Sequence, residues 1–180
     1  MSTDQNHARE QAATQYLGIV EMLAALDCDY DRLEELREER ADLETDVADS
    51  MAEAGDGAAI DALEQWDIEN AEELAQLTAD AGDCTSQDDA SERIQEDPLE
   101  VQVRSDWHLP GETDVTPSDF YVLLCTGGPA VRIMGELDEH GQPCRAWLEY
   151  QDWGTPWTQY FDADGDTLVR YAQQSYFFGD

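Results

Sequence analysis

Apolar residues in the first half of the chain recur at helical steps. Ala13, Tyr16, Leu17, Val20, Leu23 and Leu26 follow one another every three or four residues, which predicts one amphipathic helix with that stripe facing a core. A second helix is predicted over 31–54, with Leu33, Leu36, Leu43, Val47 and Met51 on one face, broken by Gly55-Asp56-Gly57. A third carries Ile60, Leu63, Ala71, Leu74 and Leu77, and Gly82 stands where it should end. Apolar spacing near 3.5 residues implies helices packed almost antiparallel, as a hairpin or small bundle.

After residue 98 the period changes from helix to strand. Leu99-Glu100-Val101-Gln102-Val103-Arg104 alternates apolar and polar, the mark of a half-exposed strand. Further strands are expected at 120–125, 130–137 and 145–150, with turns at Thr126-Gly127-Gly128-Pro129 and at 138–143. Asp162-Ala163-Asp164-Gly165-Asp166 then turns into a terminal helix bearing Leu168, Val169, Ala172 and Tyr176. The order predicts an α+β protein: an N-terminal acidic helical hairpin or bundle, then a small antiparallel sheet covered by a C-terminal helix.

Composition sharpens this division. The first hundred residues hold 30 acidic and five basic side chains and three aromatics; the last eighty hold 13, four and 13. The expected domains are therefore an acidic helical region over 1–81, a linker over 82–97 with a short helix at 90–95, and an aromatic-rich α+β domain over 98–180.

The formal charge is −34, from 43 acidic and nine basic residues, and all nine are arginines. Such an excess repels nucleic acid and anionic membranes, so direct binding to either is not expected and partners should be basic. On the second helix Asp31, Glu35, Glu38, Asp42, Asp46, Asp49 and Glu53 stand 4, 3, 4, 4, 3 and 4 residues apart. That spacing lines carboxylates along one face, opposite the apolar one, at a cost of about 0.2–0.5 kcal/mol per like-charged neighbour pair. The row is about 33 Å long at the helical rise, comparable with one turn of B-DNA. Asp61, Glu64, Glu69, Glu72, Glu73 and Asp80 add to it on the third helix, the first five as candidate partner-binding residues. Two such helices side by side would imitate two phosphate tracks. An ordinary solvated face, or the even acidity of a halophile's protein, is the competing explanation.

No constellation announces catalysis. Asp162-x-Asp164-x-Asp166 has its glycine one place early for a calcium loop and Gln173 where a bidentate glutamate is needed, so a turn with a helix cap is expected. Thr126-Gly127-Gly128-Pro129 lacks a phosphate-binding lysine. His108, His140, Cys125 and Cys144 form a metal or nucleophile site only if the fold gathers them. Trp147, Tyr150, Trp153, Trp157, Tyr160 and Phe161 read as core packing around Gly154-Thr155-Pro156, with a docking patch as the alternative. No cofactor, metal or catalytic residue is expected. Nor is a leader or membrane span, and the four widely spaced cysteines suit reduced thiols in the cytoplasm.

The stretches Arg93-Ile94-Gln95-Glu96-Asp97-Pro98-Leu99, Leu124-Cys125-Thr126-Gly127-Gly128-Pro129-Ala130 and Gln151-Asp152-Trp153-Gly154-Thr155-Pro156-Trp157 resemble a family of small proteins from bacterial plasmids and integrative elements. The resemblance implies a mobile-element setting and no catalytic residues. The charge resembles, as a class, the DNA-mimic inhibitors of restriction and CRISPR systems. The expected function is an acidic mimic that blocks a nucleic-acid-binding groove; the alternative is an acidic adaptor or chaperone for a basic nucleic-acid-binding protein or toxin.

Overall fold

The computed structural model describes residues 3–52, 57–112 and 115–174. Its elements are α1 (Thr3–Asp27), α2 (Tyr30–Ala52), α3 (Ala58–Ala81), α4 (Gln87–Glu96), β1 (Glu100–Ser105), β2 (Pro117–Cys125), β3 (Ala130–Leu137), β4 (Pro143–Gln151), β5 (Thr158–Tyr160) and α5 (Gly165–Gln174). The class is α+β, as the pattern predicted, and the strands form one antiparallel meander in the order β1-β2-β3-β4-β5.

Two compact units divide the chain, but not at the compositional boundary. One joins Met1–Leu23 to Ser91–Asp180; the other is Ala24–Ala90. The division therefore passes through α1 and α4. The segment expected as a linker is closely bonded: Cys84 is buried beside Ala25 and Ala90. Ser86 caps α4, its Oγ accepting from the N–H of Asp89, and the Asp89 carboxylate accepts from the N–H and hydroxyl of Thr85.

In the larger unit, alternation along the strands separates two sheet faces. Phe120, Val122, Leu124, Val131, Ile133, Leu137, Ala146, Leu148 and Tyr150 are buried on one face. There the Phe120 ring lies over Gly135, directly opposite it in the register; a Cβ at Gly135 would come within 2.3 Å of the ring. α5 packs on β4 through buried Leu168, Tyr171 and Ala172, while Tyr176 of the predicted helix lies outside the described residues. The Tyr171 hydroxyl donates to Asp97, and burial first, then this carboxylate, pushes its pKa up. Asp164 caps α5, accepting from the N–H and hydroxyl of Thr167, as its place in the acidic turn predicted.

The buried stripe of α1 corrects the expected one. Ala8, Ala12, Ile19, Met22 and Leu23 are buried, whereas Leu17 is 60% and Val20 41% exposed. Beside this stripe Arg9 reaches Asp162 at 2.6 Å, and the Tyr16 oxygen accepts from the N–H of Asp164 at 3.1 Å. The first turns of α1 thus belong with the sheet.

Candidate partner-binding surface

The second unit is built on the hairpin α2–α3. Asp29 caps α2 by accepting from the N–H of Arg32 at 3.0 Å, and Gly82, at φ +56, ends α3 as its position predicted. Leu33 and Ala81 are buried with Cys28, and Tyr30, Leu74 and Leu77 pack against them. Leu36 is fully buried, but Leu43, Val47 and Leu63 are only half-buried and Met51 is 72% exposed. The core therefore sits at the base of the hairpin and thins toward its turn.

Polar bonds take over where the core thins. Arg32 reaches Glu73 at 3.0 Å and Glu35 at 3.3 Å; Arg40 reaches Asp67 at 3.1 Å and Glu44 at 2.6 Å. Trp66 Nε1 donates to Glu39 at 3.0 Å. Pairing 32 with 73, 39 with 66 and 40 with 67 makes the helices antiparallel. Glu39 and Asp67 were not singled out in the sequence, because spacing along one helix does not reveal a bond to the next.

The described carboxylates of the expected rows are exposed, namely Asp31, Glu35, Glu38, Asp42, Asp46 and Asp49 on α2 and Asp61, Glu64, Glu69, Glu72 and Glu73 on α3, while Asp80 at the end of α3 is half-buried and accepts from Gln76. Glu53 lies outside the described residues. Glu35 and Glu73 share Arg32, whose hydrogen bond holds Glu73 below the usual carboxylate range, and Glu69 accepts from Gln65. Apart from Glu73, which bonds Arg32 across the α2–α3 seam, helical spacing turns both rows away from it, so they occupy opposite outer sides of the hairpin. A two-helix layer is roughly 20 Å across, from helix diameters of about 10 Å at an interaxial distance of about 10 Å. A groove gripping both rows has to embrace the hairpin as it would a duplex.

The acidity is concentrated here. Ala24–Ala90 holds 23 acidic side chains and three arginines, whereas the other 113 residues hold 20 and six. On the open face of the sheet, charges are instead balanced across strands: Arg104 pairs with Asp119 at 3.2 Å, Arg132 with Glu149 at 2.8 Å and Arg145 with Glu136 at 3.0 Å. Even acidity over every surface, the halophile expectation, does not describe this distribution.

The aromatic run divides between the two sheet faces and the solvent, which corrects the core-packing reading. Tyr150 is buried, Trp147, Trp157 and Tyr160 are half-buried, and Trp153 and Phe161 are about four-fifths exposed. Trp157 stacks on the Arg132 guanidinium 4.0 Å from its ring centre, and Trp147 Nε1 donates to Glu149. The two glycine-containing loops meet: Trp153 Nε1 donates to the carbonyl of Gly127 at 3.0 Å, and Gly128, at φ +83, leaves room for the indole. They border an open cleft of about 310 Å³.

The fold does not gather the histidines and cysteines. Cys125 is at the end of β2 beside Val131, while Cys144 donates to the carbonyl of Glu136, near the other end of β3. His108 and His140 are exposed. Among the described residues no three His, Cys, Asp or Glu side chains are grouped as metal ligands, and no helix is long and apolar enough to cross a membrane.

The chain matches no family model, no curated protein and no solved structure.

Proposed function

We propose that the chain is an acidic DNA mimic that inhibits a defence nucleoprotein, of a restriction or CRISPR system, by occupying its positively charged nucleic-acid groove. The observation that supports this reading most is the pair of exposed carboxylate rows on a hairpin whose Arg32 and Arg40 are already engaged with its own acids. Fixed carboxylates on a rigid two-helix body would replace phosphates at the groove's Arg and Lys side chains, giving fast, salt-sensitive association. The mechanism is competitive and assigns no chemical step to the chain. A cytoplasmic setting follows from the target. The adaptor alternative differs in one respect: its basic partner would keep its DNA site open.

Competition decides between them. Changing Glu38, Asp42, Asp46 and Asp49 on α2 with Asp61, Glu64 and Glu72 on α3 to Gln or Asn removes seven charges from the two rows and spares Glu35 and Glu73, which Arg32 needs. Restriction and CRISPR effector complexes are assayed for DNA binding with wild type, with this variant, and with a control neutralising exposed Glu92, Glu96, Asp106, Glu112, Glu139, Asp162 and Asp166. The expected result is displacement of DNA by the wild type and the control, and at least a tenfold loss in the hairpin variant. Simultaneous binding of DNA and inhibitor, or equal inhibition by the hairpin variant, rejects the mimic.

A further inference from the structure

The outer edge of β1 is open and matches itself. Among the described residues β1 pairs with β2 alone, at one end of the sheet. Leu99 N–H donates inward to the carbonyl of Leu123 at 2.8 Å. The Leu123 carbonyl thus faces β1, where its register partner is Glu100, and the Arg104 carbonyl accepts from Ser118 Oγ of β2. Backbone direction alternates along a strand, so Glu100, Gln102 and Arg104 bond inward and the N–H and C=O groups of Val101 and Val103 point away from β2. Such a row is a template for another strand, and edges are ordinarily defended by like charge, proline or a bulge. Here the bulge comes only after Arg104, Pro98 precedes the strand, and the two charged side chains are of opposite sign, placed symmetrically about Gln102.

We propose that two copies of the chain pair antiparallel through β1 about a twofold axis at Gln102, joining two five-stranded sheets into one of ten strands. In this register Gln102 faces Gln102 of the other copy, and Glu100 of each copy faces Arg104 of the other. All three are non-hydrogen-bonded pairs, whose side chains lie closest together, and the N–H···O bonds are exchanged between Val101 of each copy and Val103 of the other. On the opposite face Val101 of each copy meets Val103 of the other. Val103 is 39% exposed in the single chain and Leu99 61%, so the joint covers apolar edge surface left open by the monomer. Charge complementarity selects the register: centring the pairing on Glu100 or on Arg104 sets like charges face to face. The inference rests on β1 and is independent of the mimic reading.

Sedimentation equilibrium over a concentration series, at 50 and 500 mM NaCl, tests it. A dimer is expected, tighter at 500 mM, because screening the −34 charge on each copy outweighs the weakening of two Glu–Arg pairs. E100R turns both of those pairs repulsive and should weaken the dimer about tenfold, while E100R/R104E restores opposite charges and should recover it. Hydrogen exchange on the unmodified chain gives a second reading: the Val101 and Val103 amides should slow as concentration rises. A chain monomeric to millimolar concentration at 500 mM NaCl overturns the proposal. A dimer held equally by the wild type and E100R does so too, as do Val101 and Val103 amides indifferent to concentration.

Discussion

Arg32 shows how single side chains hold an acidic hairpin together. It spans the seam to Glu73 and bonds Glu35 on its own helix, with Glu39 also in its field. Without it, these carboxylates would face one another across the seam. Its pH signature has a definite sign. The hydrogen bond from Arg32, more than its charge alone, lowers the pKa of Glu73 in the folded state from its ordinary 4.5. A carboxylate with a depressed folded pKa contributes stability above its unfolded pKa and loses it as pH falls through the folded value. Arg32→Gln should therefore lower the thermal midpoint at pH 7, and the gap to wild type should shrink as pH drops from about 5 to about 3. Far-UV circular dichroism melts at both ends of that range provide the check. A gap that persists undiminished at pH 3 would mean Arg32 acts through packing of its stem and not through Glu73.

The hairpin α2–α3 is uneven along its length, and substitutions should report it. Leu36 is fully buried at the base, so Leu36→Ala should cost about 2–5 kcal/mol. Met51, 72% exposed near the turn, should change stability by no more than about 0.5 kcal/mol when made Ala. Urea unfolding of both variants measures the difference, and equal losses would mean the core extends to the turn. The elements themselves were legible: three- and four-residue steps marked α2 and α3, Gly82 marked an end, and alternation marked β1 to β4. The carboxylate rows were legible for the same reason, since spacing alone places residues on a helix face. What spacing does not carry is which surface closes on which. Small buried Ala8 and Ala12 give α1 a weaker hydropathic signal than exposed Leu17 and Val20, so its buried side was misread. The bond from Arg32 to Glu73 spans 41 residues and follows from no periodicity. β5, three residues long, is too short to show a pattern. Trp153 and Phe161 look like core by residue type, yet lie outside it because their loops end at the sheet's margin.

For the whole molecule, charge predicts opposite salt responses in folding and in binding. Asp31, Glu35, Glu38, Asp42, Asp46 and Asp49 make five successive like-charged steps on α2, costing together about 1–2.5 kcal/mol at low salt. The exposed pairs that offset them, Arg32–Glu35 and Arg40–Glu44, share the same helix but are only two. Repulsion thus outweighs attraction on this element, and screening should stabilise it. At about 0.5 M salt the Debye length is under half its value at 0.1 M, close to the distance between neighbouring carboxylates. Raising NaCl from 20 to 500 mM should lift the helical melting midpoint by about 2–10 °C. The hairpin variant should start from a higher midpoint and gain less. Binding to a basic groove should run the other way, because the attraction being screened is then the one that forms the complex. Measured together, the two trends exclude a trivial cause: a salt that merely unfolded the chain would weaken both. A complex that strengthens with salt alongside the fold would instead be held by apolar contact. Exposed Trp107 and Trp153 would then become the surfaces to substitute, and the carboxylate rows would revert to a solvated face.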